Sequence, residues 1–149
     1  MVLISINPTS KAIGWAFWHV ADFRISLVSS GTMELPAGSE CDQCRDISNR
    51  LRREMFGDRY IDIKHVLIER PSFENDCRNA NGLLGSSMAI GAIIGCFKDA
   101  KPELICRNGS QPNKSRLMKK FQIARPSKAE ARAIDMGNRF ITENRASMC

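Results

Sequence analysis

The stretch "LISINPTSKAIGWAFW", residues 3–18, decides the fold. Two apolar runs, Val2 to Ile6 and Gly14 to Trp18, flank a short polar segment, which is typical of two antiparallel strands joined by a loop. Pro8 has no N–H and restricts the residue before it, so strand pairing is expected to end there. Asn7 is therefore predicted at the tip of the first strand, a position from which a polar side chain can serve a site.

Length and composition restrict the class of protein. The 149 residues suit one domain, predicted to span 1–149, and the 22 Lys and Arg against 16 Asp and Glu give a net charge of +6, which is compatible with a nucleic-acid partner. No apolar run is long enough to span a bilayer, and no secretory leader is evident at the start. Six cysteines are too few for a disulfide framework in a chain of this length. We expect free thiols, a cytoplasmic location and no membrane partner.

The middle of the chain alternates between strand and helix patterns. Residues 23–31 alternate apolar and polar side chains, which predicts a third strand. Residues 41–56 carry apolar side chains spaced by four and predict an amphipathic helix that ends at Gly57. Residues 61–69 end in a compact apolar run, which predicts a buried strand parallel to the first. Glu69 then lies at a strand end, as Asn7 does.

The last third of the chain supplies small, basic and helical segments. Residues 81–98 are rich in Gly and Ala at helical spacing, which lets another backbone approach closely. A short strand at 104–106 and a polar loop lead into residues 114–121, the densest basic cluster in the sequence. The final helix is predicted to start after Pro126, with Ser127 as N-cap and Glu130 completing a capping box.

Three separated segments offer oxygen ligands for a hard metal ion. Asn7 and Glu69 end two core strands, and Asp135 and Asn138 share one helical face because they are three residues apart. Mg²⁺ and Mn²⁺ prefer such oxygens and bind phosphate oxygens in their remaining positions. Two ions about 4 Å apart can support phosphodiester hydrolysis. These four residues are the predicted metal ligands and catalytic groups.

The order of these motifs resembles a known family. The first strand and its turn, the Gly14-Trp15 strand, "LIERPSF" at 67–73, a long helix, a basic loop and a final acidic helix are similar to the RuvC-like Holliday junction resolvases of the RNase H-like superfamily, particularly short phage-encoded members. The resemblance implies an α/β fold with a mixed five-stranded sheet, in which three antiparallel strands precede the parallel ones, and helices on both faces.

The resemblance also implies an activity. Members are Mg²⁺-dependent endonucleases that resolve Holliday junctions, with Mn²⁺ as a possible substitute, and four carboxylates hold two ions. In this sequence the positions of those carboxylates correspond to Asn7, Glu69, Asp135 and Asn138. A homodimer is implied because a four-way junction has two symmetric strands to cut, and the 85–94 face would form its interface. The implied DNA contacts are Phe73, which would stack on a base, and the cationic side chains Arg70, Lys114, Arg116, Lys119 and Lys120, of which Lys114 is also expected near the scissile phosphate.

Two departures from the family pattern leave alternatives open. Asn7 stands where the pattern has Asp, and Asn138 stands where it has a second helix acid, so affinity for divalent ions is expected to drop and cleavage to be poor. Glu130 or Glu143 could supply a replacement acid. Asn7 is consistent with an Asp that was deliberately replaced to trap a substrate complex. It is equally consistent with a natural variant that binds junctions with little cleavage. The rival functions are a non-catalytic branched-DNA binding protein and a different nucleotidyl-transfer or actin-like ATPase enzyme on the same fold. The lack of Gly-rich phosphate loops disfavours the ATPase.

Each candidate also has a purely structural interpretation. Glu69 could pair with the adjacent Arg70, and Asp135 could pair with Arg132 or Arg139 on its own helix. Asn7 could cap the following turn. The basic segment could be a solvated surface.

Overall fold

The structure is a computed structural model that describes residues 1–21, 24–57, 62–71, 80–97, 99–106 and 110–148. In chain order its elements are β1 (Val2–Pro8), β2 (Ala12–Ala21), β3 (Arg24–Glu34), α1 (Glu40–Phe56), β4 (His65–Arg70), α2 (Ala80–Cys96), β5 (Lys101–Cys106), α3 (Lys114–Phe121) and α4 (Lys128–Met148). Among these helices, none combines the length and the apolar character that crossing a membrane requires.

The five strands form one mixed sheet in the order β3-β2-β1-β4-β5. β2 runs antiparallel to both β1 and β3, whereas β4 is parallel to β1 and β5 is parallel to β4. The predicted α/β fold, with three antiparallel strands followed by parallel ones, is confirmed.

Strand pairing around Pro8 differs from the expectation on one side. The parallel ladder with β4 reaches the Ile6 and Ile68 pair, but the antiparallel ladder with β2 continues through Pro8. A proline at a strand end removes one donor and keeps its carbonyl, so an antiparallel neighbour can still pair there. The turn then closes through the Thr9 N–H, which donates to the Ala12 carbonyl at 2.9 Å.

Helices cover both faces of the sheet, and each face has its own apolar core. One core lies between the sheet and α1 with α2, and it buries the predicted α1 stripe of Ile47, Leu51 and Met55. Gly57 ends α1 at φ +61°, a conformation that favours glycine, and its N–H donates to the Arg53 carbonyl at 2.8 Å. The second core lies on the opposite face, under α3 and α4.

Several segment boundaries differ from the sequence-based expectation, since β3 continues to Glu34 and β5 begins at Lys101 instead of residue 104. The strand predicted at 61–69 begins at His65, and Ile61 lies outside the described residues. The basic segment 114–121, which the resemblance assigns to a loop, forms α3. Its N-cap is Asn113, whose side chain accepts the Arg116 N–H at 3.0 Å, and a cap of this kind favours helix over loop.

Candidate functional site

Asn7 and Glu69 lie side by side at the ends of two neighbouring core strands. The β1–β4 ladder pairs Ile6 with Ile68, so the next residues of the two strands are Asn7 and Glu69. Side chains at the same register of parallel neighbours point to one face, with the strands about 4.8 Å apart. Both side chains are buried, Asn7 completely and Glu69 to all but 5%. The structure therefore brings these two predicted residues together.

Helix α4 begins directly above these strand ends. A Cβ added at Gly14, the β2 partner of Asn7, would clash with the backbone of Ala129, so the glycine permits a close approach of helix and sheet. Ser127 Oγ accepts the Glu130 N–H at 3.0 Å, and the Ser127 N–H donates to the Glu130 carboxylate at 3.3 Å. This is the predicted capping box, and it fixes where α4 starts.

A buried hydrogen-bond chain fixes α4 further along the sheet. Trp18 Nε1 donates to Ser5 Oγ at 2.9 Å, and Ser5 Oγ donates to the Ala133 carbonyl at 2.7 Å. A Cβ at Gly137 would clash with both Trp18 and Ser5. Because an alternative position would leave these buried polar groups without partners, the register of α4 on the sheet is well determined.

Arg132 is the α4 side chain that reaches the strand ends. Its Nη1 lies 3.2 Å from Glu69 Oε1 and donates a hydrogen bond to it, and only 10% of the Arg132 side chain is exposed. Charge-assisted bonds of this type are stronger than neutral ones. A cation that belongs to the protein itself therefore occupies the place next to the strand-end carboxylate.

The amide of Asn7 faces a cavity and lacks an internal partner. Neither its Oδ1 nor its Nδ2 has a hydrogen-bond partner within the part of the chain that the structure describes. The adjacent cavity has a volume of about 440 Å³ and is lined by Asn7, Thr9, Lys11, Ala12, Thr32, Glu34, Ser127, Lys128, Ala129 and Arg132. Three of these side chains are cationic and one is acidic, so the cavity suits an anion.

Asp135 and Asn138 have different neighbours from Asn7 and Glu69. Asp135 forms an ion pair with Arg139 at 3.1 Å, as its structural interpretation predicted, and Asn138 Oδ1 accepts from Lys120 Nζ at 2.6 Å. Both line a second cavity between α3 and α4. The observed contacts therefore do not join this pair to the strand ends, where α4 contributes Arg132.

The predicted DNA-contacting cations fall into two groups. Lys114 Nζ donates to the Pro126 carbonyl at 2.9 Å and so links the starts of α3 and α4, while Arg116, Lys119 and Lys120 lie exposed on α3. Arg70, at the end of β4, donates to Cys106 Sγ at 2.7 and 3.1 Å. Phe73 lies outside the described residues.

The strand-end residues do not fit a pair of divalent cations. The donor set there is one carboxylate, Glu69, and one amide, Asn7, while Mg²⁺ sites of this kind depend on several carboxylate oxygens. The guanidinium of Arg132 already neutralises Glu69 and would repel a dication. Over the described residues no group of three or more His, Cys, Asp and Glu side chains could hold a metal ion.

The carboxylates of the two proposed replacement acids have other surroundings. Glu130 is engaged by the capping box, and its Oε1 accepts from Ser30 Oγ at 2.7 Å. Glu143 lies further along α4, in a cavity with Cys106 and Phe140. Neither carboxylate compensates for the amide at position 7.

Sequence reasoning missed Arg132 as a site residue. It appeared only as an ion-pair partner of Asp135, because an arginine is not sought among metal ligands. The helical spacing places Arg132 on the buried face of α4. Arg132 follows Ala129 by three residues and precedes Met136 by four, and both of those are buried against the sheet. A cation on the buried stripe of a helix needs an anionic partner, and Glu69 is that partner.

The fold is shared with known resolvases. No protein-family model and no curated protein matches the chain. Two solved structures of Thermus thermophilus RuvC match it, one with a TM-score of 0.68, 14% identity and 96% of both chains covered. The other, a complex with a Holliday junction substrate, matches with a TM-score of 0.66 and 14% identity over 89% of this chain and 88% of that one.

A viral resolvase has the same fold. The Holliday junction resolvase of Fowlpox virus matches with a TM-score of 0.55 and 16% identity, over 96% of this chain and 99% of that one. The chain thus has the RNase H-like fold of the RuvC-like Holliday junction resolvases, as its sequence predicted.

Proposed function

We propose that this chain, built on the resolvase fold, binds branched DNA, four-way junctions foremost, and that it cleaves them poorly or not at all. The fold supports the substrate class, since two of the matched proteins are a RuvC and a poxvirus resolvase. The net charge of +6 supports a polyanionic partner. The strand-end residues are the reason for the expected loss of cleavage.

The Arg132–Glu69 ion pair is the observation that carries the proposal. Ala129 and Arg132 line the same cavity as Asn7 and are three residues apart, the spacing that the resemblance gives for the two helix acids of the family. Asp135 and Asn138 lie six residues further on, about 9 Å along the helix. We infer that an alanine and an arginine stand where acids would be needed, so that Glu69 alone keeps the character of a metal ligand.

A homodimer is part of the proposal. α2 carries no charged residue over positions 80–96, yet Leu84 is 54% exposed, and a Cβ added at Gly85, Gly91 or Gly95 would meet no atom within 4 Å. An uncharged, exposed and sterically open helix suits a close helix contact across a two-fold axis. Two symmetric subunits would match the symmetry of a four-way junction.

The second candidate is a Mg²⁺-dependent crossover junction endodeoxyribonuclease. Its support is that Glu69 and Asn7 still lie at adjacent strand ends under the final helix. It requires that metal binding displace Arg132 from Glu69, or that further acids approach the strand ends.

A binding and cleavage assay with synthetic DNA separates the candidates. The purified chain is mixed with a four-way junction and with a linear duplex of the same arm sequence, each with Mg²⁺ or Mn²⁺. We expect tighter binding of the junction and no nicks. Equal affinity for the two DNAs would contradict the branched-DNA proposal, and paired symmetric nicks would establish the nuclease.

A further inference from the structure

The cavity at the strand ends has the polar groups and the charges that an anionic ligand would bind. The fully buried amide of Asn7 has no hydrogen-bond partner among the described residues. A buried polar group without a partner destabilises the folded protein, so a ligand that forms hydrogen bonds with it recovers that free energy. The cavity of about 440 Å³ in front of it has the size of a small-ligand site.

The charges around the cavity select the ligand. Three cationic side chains line the cavity, of which Arg132 is nine-tenths buried and Lys11 and Lys128 are exposed, and Glu34 is the acidic lining residue. A guanidinium offers five N–H donors, and its bond to Glu69 uses Nη1. The planar arrangement of these donors matches the oxygens of a phosphate.

We propose that this cavity binds a backbone phosphate of the DNA without a divalent cation, with Arg132 and the Asn7 amide donating to its oxygens. Glu69 then acts as the counter-ion that holds Arg132 in place, and it is a positioning residue instead of a metal ligand. This inference rests on the proposed function, because it names the group of the branched DNA that the strand-end cavity receives.

Replacing Glu69 distinguishes two models: Glu69 is either the counter-ion of Arg132 or the ligand of a metal ion that binds the DNA. The two models predict opposite changes in DNA affinity. If Glu69 neutralises and positions Arg132, Glu69→Gln keeps an acceptor oxygen for the guanidinium but removes the opposing charge, so the affinity for a four-way junction rises by about tenfold, the value of one charge-assisted contact. If Glu69 holds a metal that binds the DNA, the same variant lowers affinity. Binding is measured by fluorescence anisotropy in EDTA and in Mg²⁺ at matched ionic strength, and wild-type affinity is expected to persist in EDTA.

Arg132 is tested in a background that keeps the fold. Replacing Arg132 alone would break a buried ion pair by removing one of its two partners, which is strongly destabilising. The double variant Glu69→Gln/Arg132→Gln replaces the ion pair by two neutral amides. Relative to Glu69→Gln, it should bind the junction about tenfold more weakly. The magnitude of the slope of log K against log salt should decrease by about one.

Arg45→Gln is the matched control. Arg45 also forms an ion pair, with Asp42, but it lies on α1 on the opposite face of the sheet, and its loss should change neither affinity nor slope. If the Arg132 double variant behaves like this control, or if EDTA abolishes wild-type binding, the phosphate-site inference is wrong. If the wild type itself does not prefer the junction, the proposed function fails instead.

Discussion

At the scale of single residues, the strand-end site is defined by two strand-end side chains and one side chain of the final helix. Glu69 and Arg132 are 5% and 10% exposed, and their ion pair brings two opposite charges together in a nearly buried position. Asn7 adds an amide with no partner among the described residues. A buried ion pair beside an unsatisfied amide contributes little to stability by itself, which favours a role in binding.

Restoring the acid at position 7 tests whether one substitution explains the loss of cleavage. We expect Asn7→Asp to give no nicks in a four-way junction with Mg²⁺, because Arg132 still neutralises the strand ends. Nicks in this single variant would show that the site needs only one acid and would contradict the proposed role of Arg132. Asn49→Asp, on the exposed surface of α1, controls for the added charge.

The double variant Asn7→Asp/Arg132→Asp is expected to gain metal binding. It places three carboxylates at the strand ends, a donor set that suits Mg²⁺, and without the ion their mutual repulsion lowers the stability of the variant. Binding to the folded state at about a hundredfold excess over Kd should raise the free energy of unfolding by about 2.7 kcal/mol, which thermal melts with and without Mg²⁺ measure. The wild type should show no such rise.

The sequence predicted part of this site for a physical reason. Strand ends can be located from apolar runs and prolines, so Asn7 and Glu69 were placed correctly relative to each other. A helix has several faces, and periodicity alone does not say which residue of the buried stripe lies over a given strand. The close approach of Ala129 to Gly14, together with the hydrogen bond from Ser5 to the Ala133 carbonyl, fixes that register and assigns Arg132 to the strand ends.

At the scale of elements, the position of α4 depends on how closely it approaches the sheet. The capping box and the strand pattern could be predicted from local sequence, whereas the role of glycines at the helix–sheet contact could not, because it depends on residues far apart in the chain. Gly14 and Gly137 are the two positions where a Cβ would meet buried atoms across this contact.

Replacing Gly14 tests that contact. In Gly14→Ala the added methyl meets the backbone of Ala129, which cannot rotate away, so we expect a loss of about 1 to 3 kcal/mol of stability. Denaturant unfolding measures it. Gly38→Ala is the control, since its nearest neighbour would be Asp42 at an ordinary 3.6 Å and the change should stay within about 0.5 kcal/mol. Equal stability of the two variants would show that α4 is not held this closely.

Helix α2 is the element proposed to join two subunits. Leu84→Glu places a charge on its uncharged exposed face, and burying that charge in an interface without a partner is costly. We expect the variant to be monomeric by light scattering at concentrations where the wild type is dimeric. Val28→Glu on β3 is a matched control, because Val28 is 55% exposed against 54% for Leu84. A wild-type monomer would contradict the dimer, and loss of dimer in the control alone would move the interface to β3.

At the scale of the whole molecule, basic side chains continue from the strand-end cavity onto α3. Lys114 joins the start of α3 to the residue before Ser127, so the exposed cations of α3 lie on the same face of the sheet as Arg132. A phosphate backbone that enters the strand-end cavity could follow this surface. On the opposite face, cations such as Arg45 of α1 lie away from this path.

The salt dependence of junction binding should distinguish the two faces. Each phosphate contact releases condensed counter-ions, so removing one contacting cation decreases the magnitude of the slope of log K against log salt by about one. Arg116, exposed at the cavity between α3 and α4, is the cation to remove, and Arg116→Ala should show this loss together with weaker binding. Arg45→Ala, whose side chain is 75% exposed, should leave the slope unchanged. If the magnitude of the slope decreases equally in both variants, the DNA does not prefer one face of the sheet. The proposed path from the strand ends across α3 is then wrong.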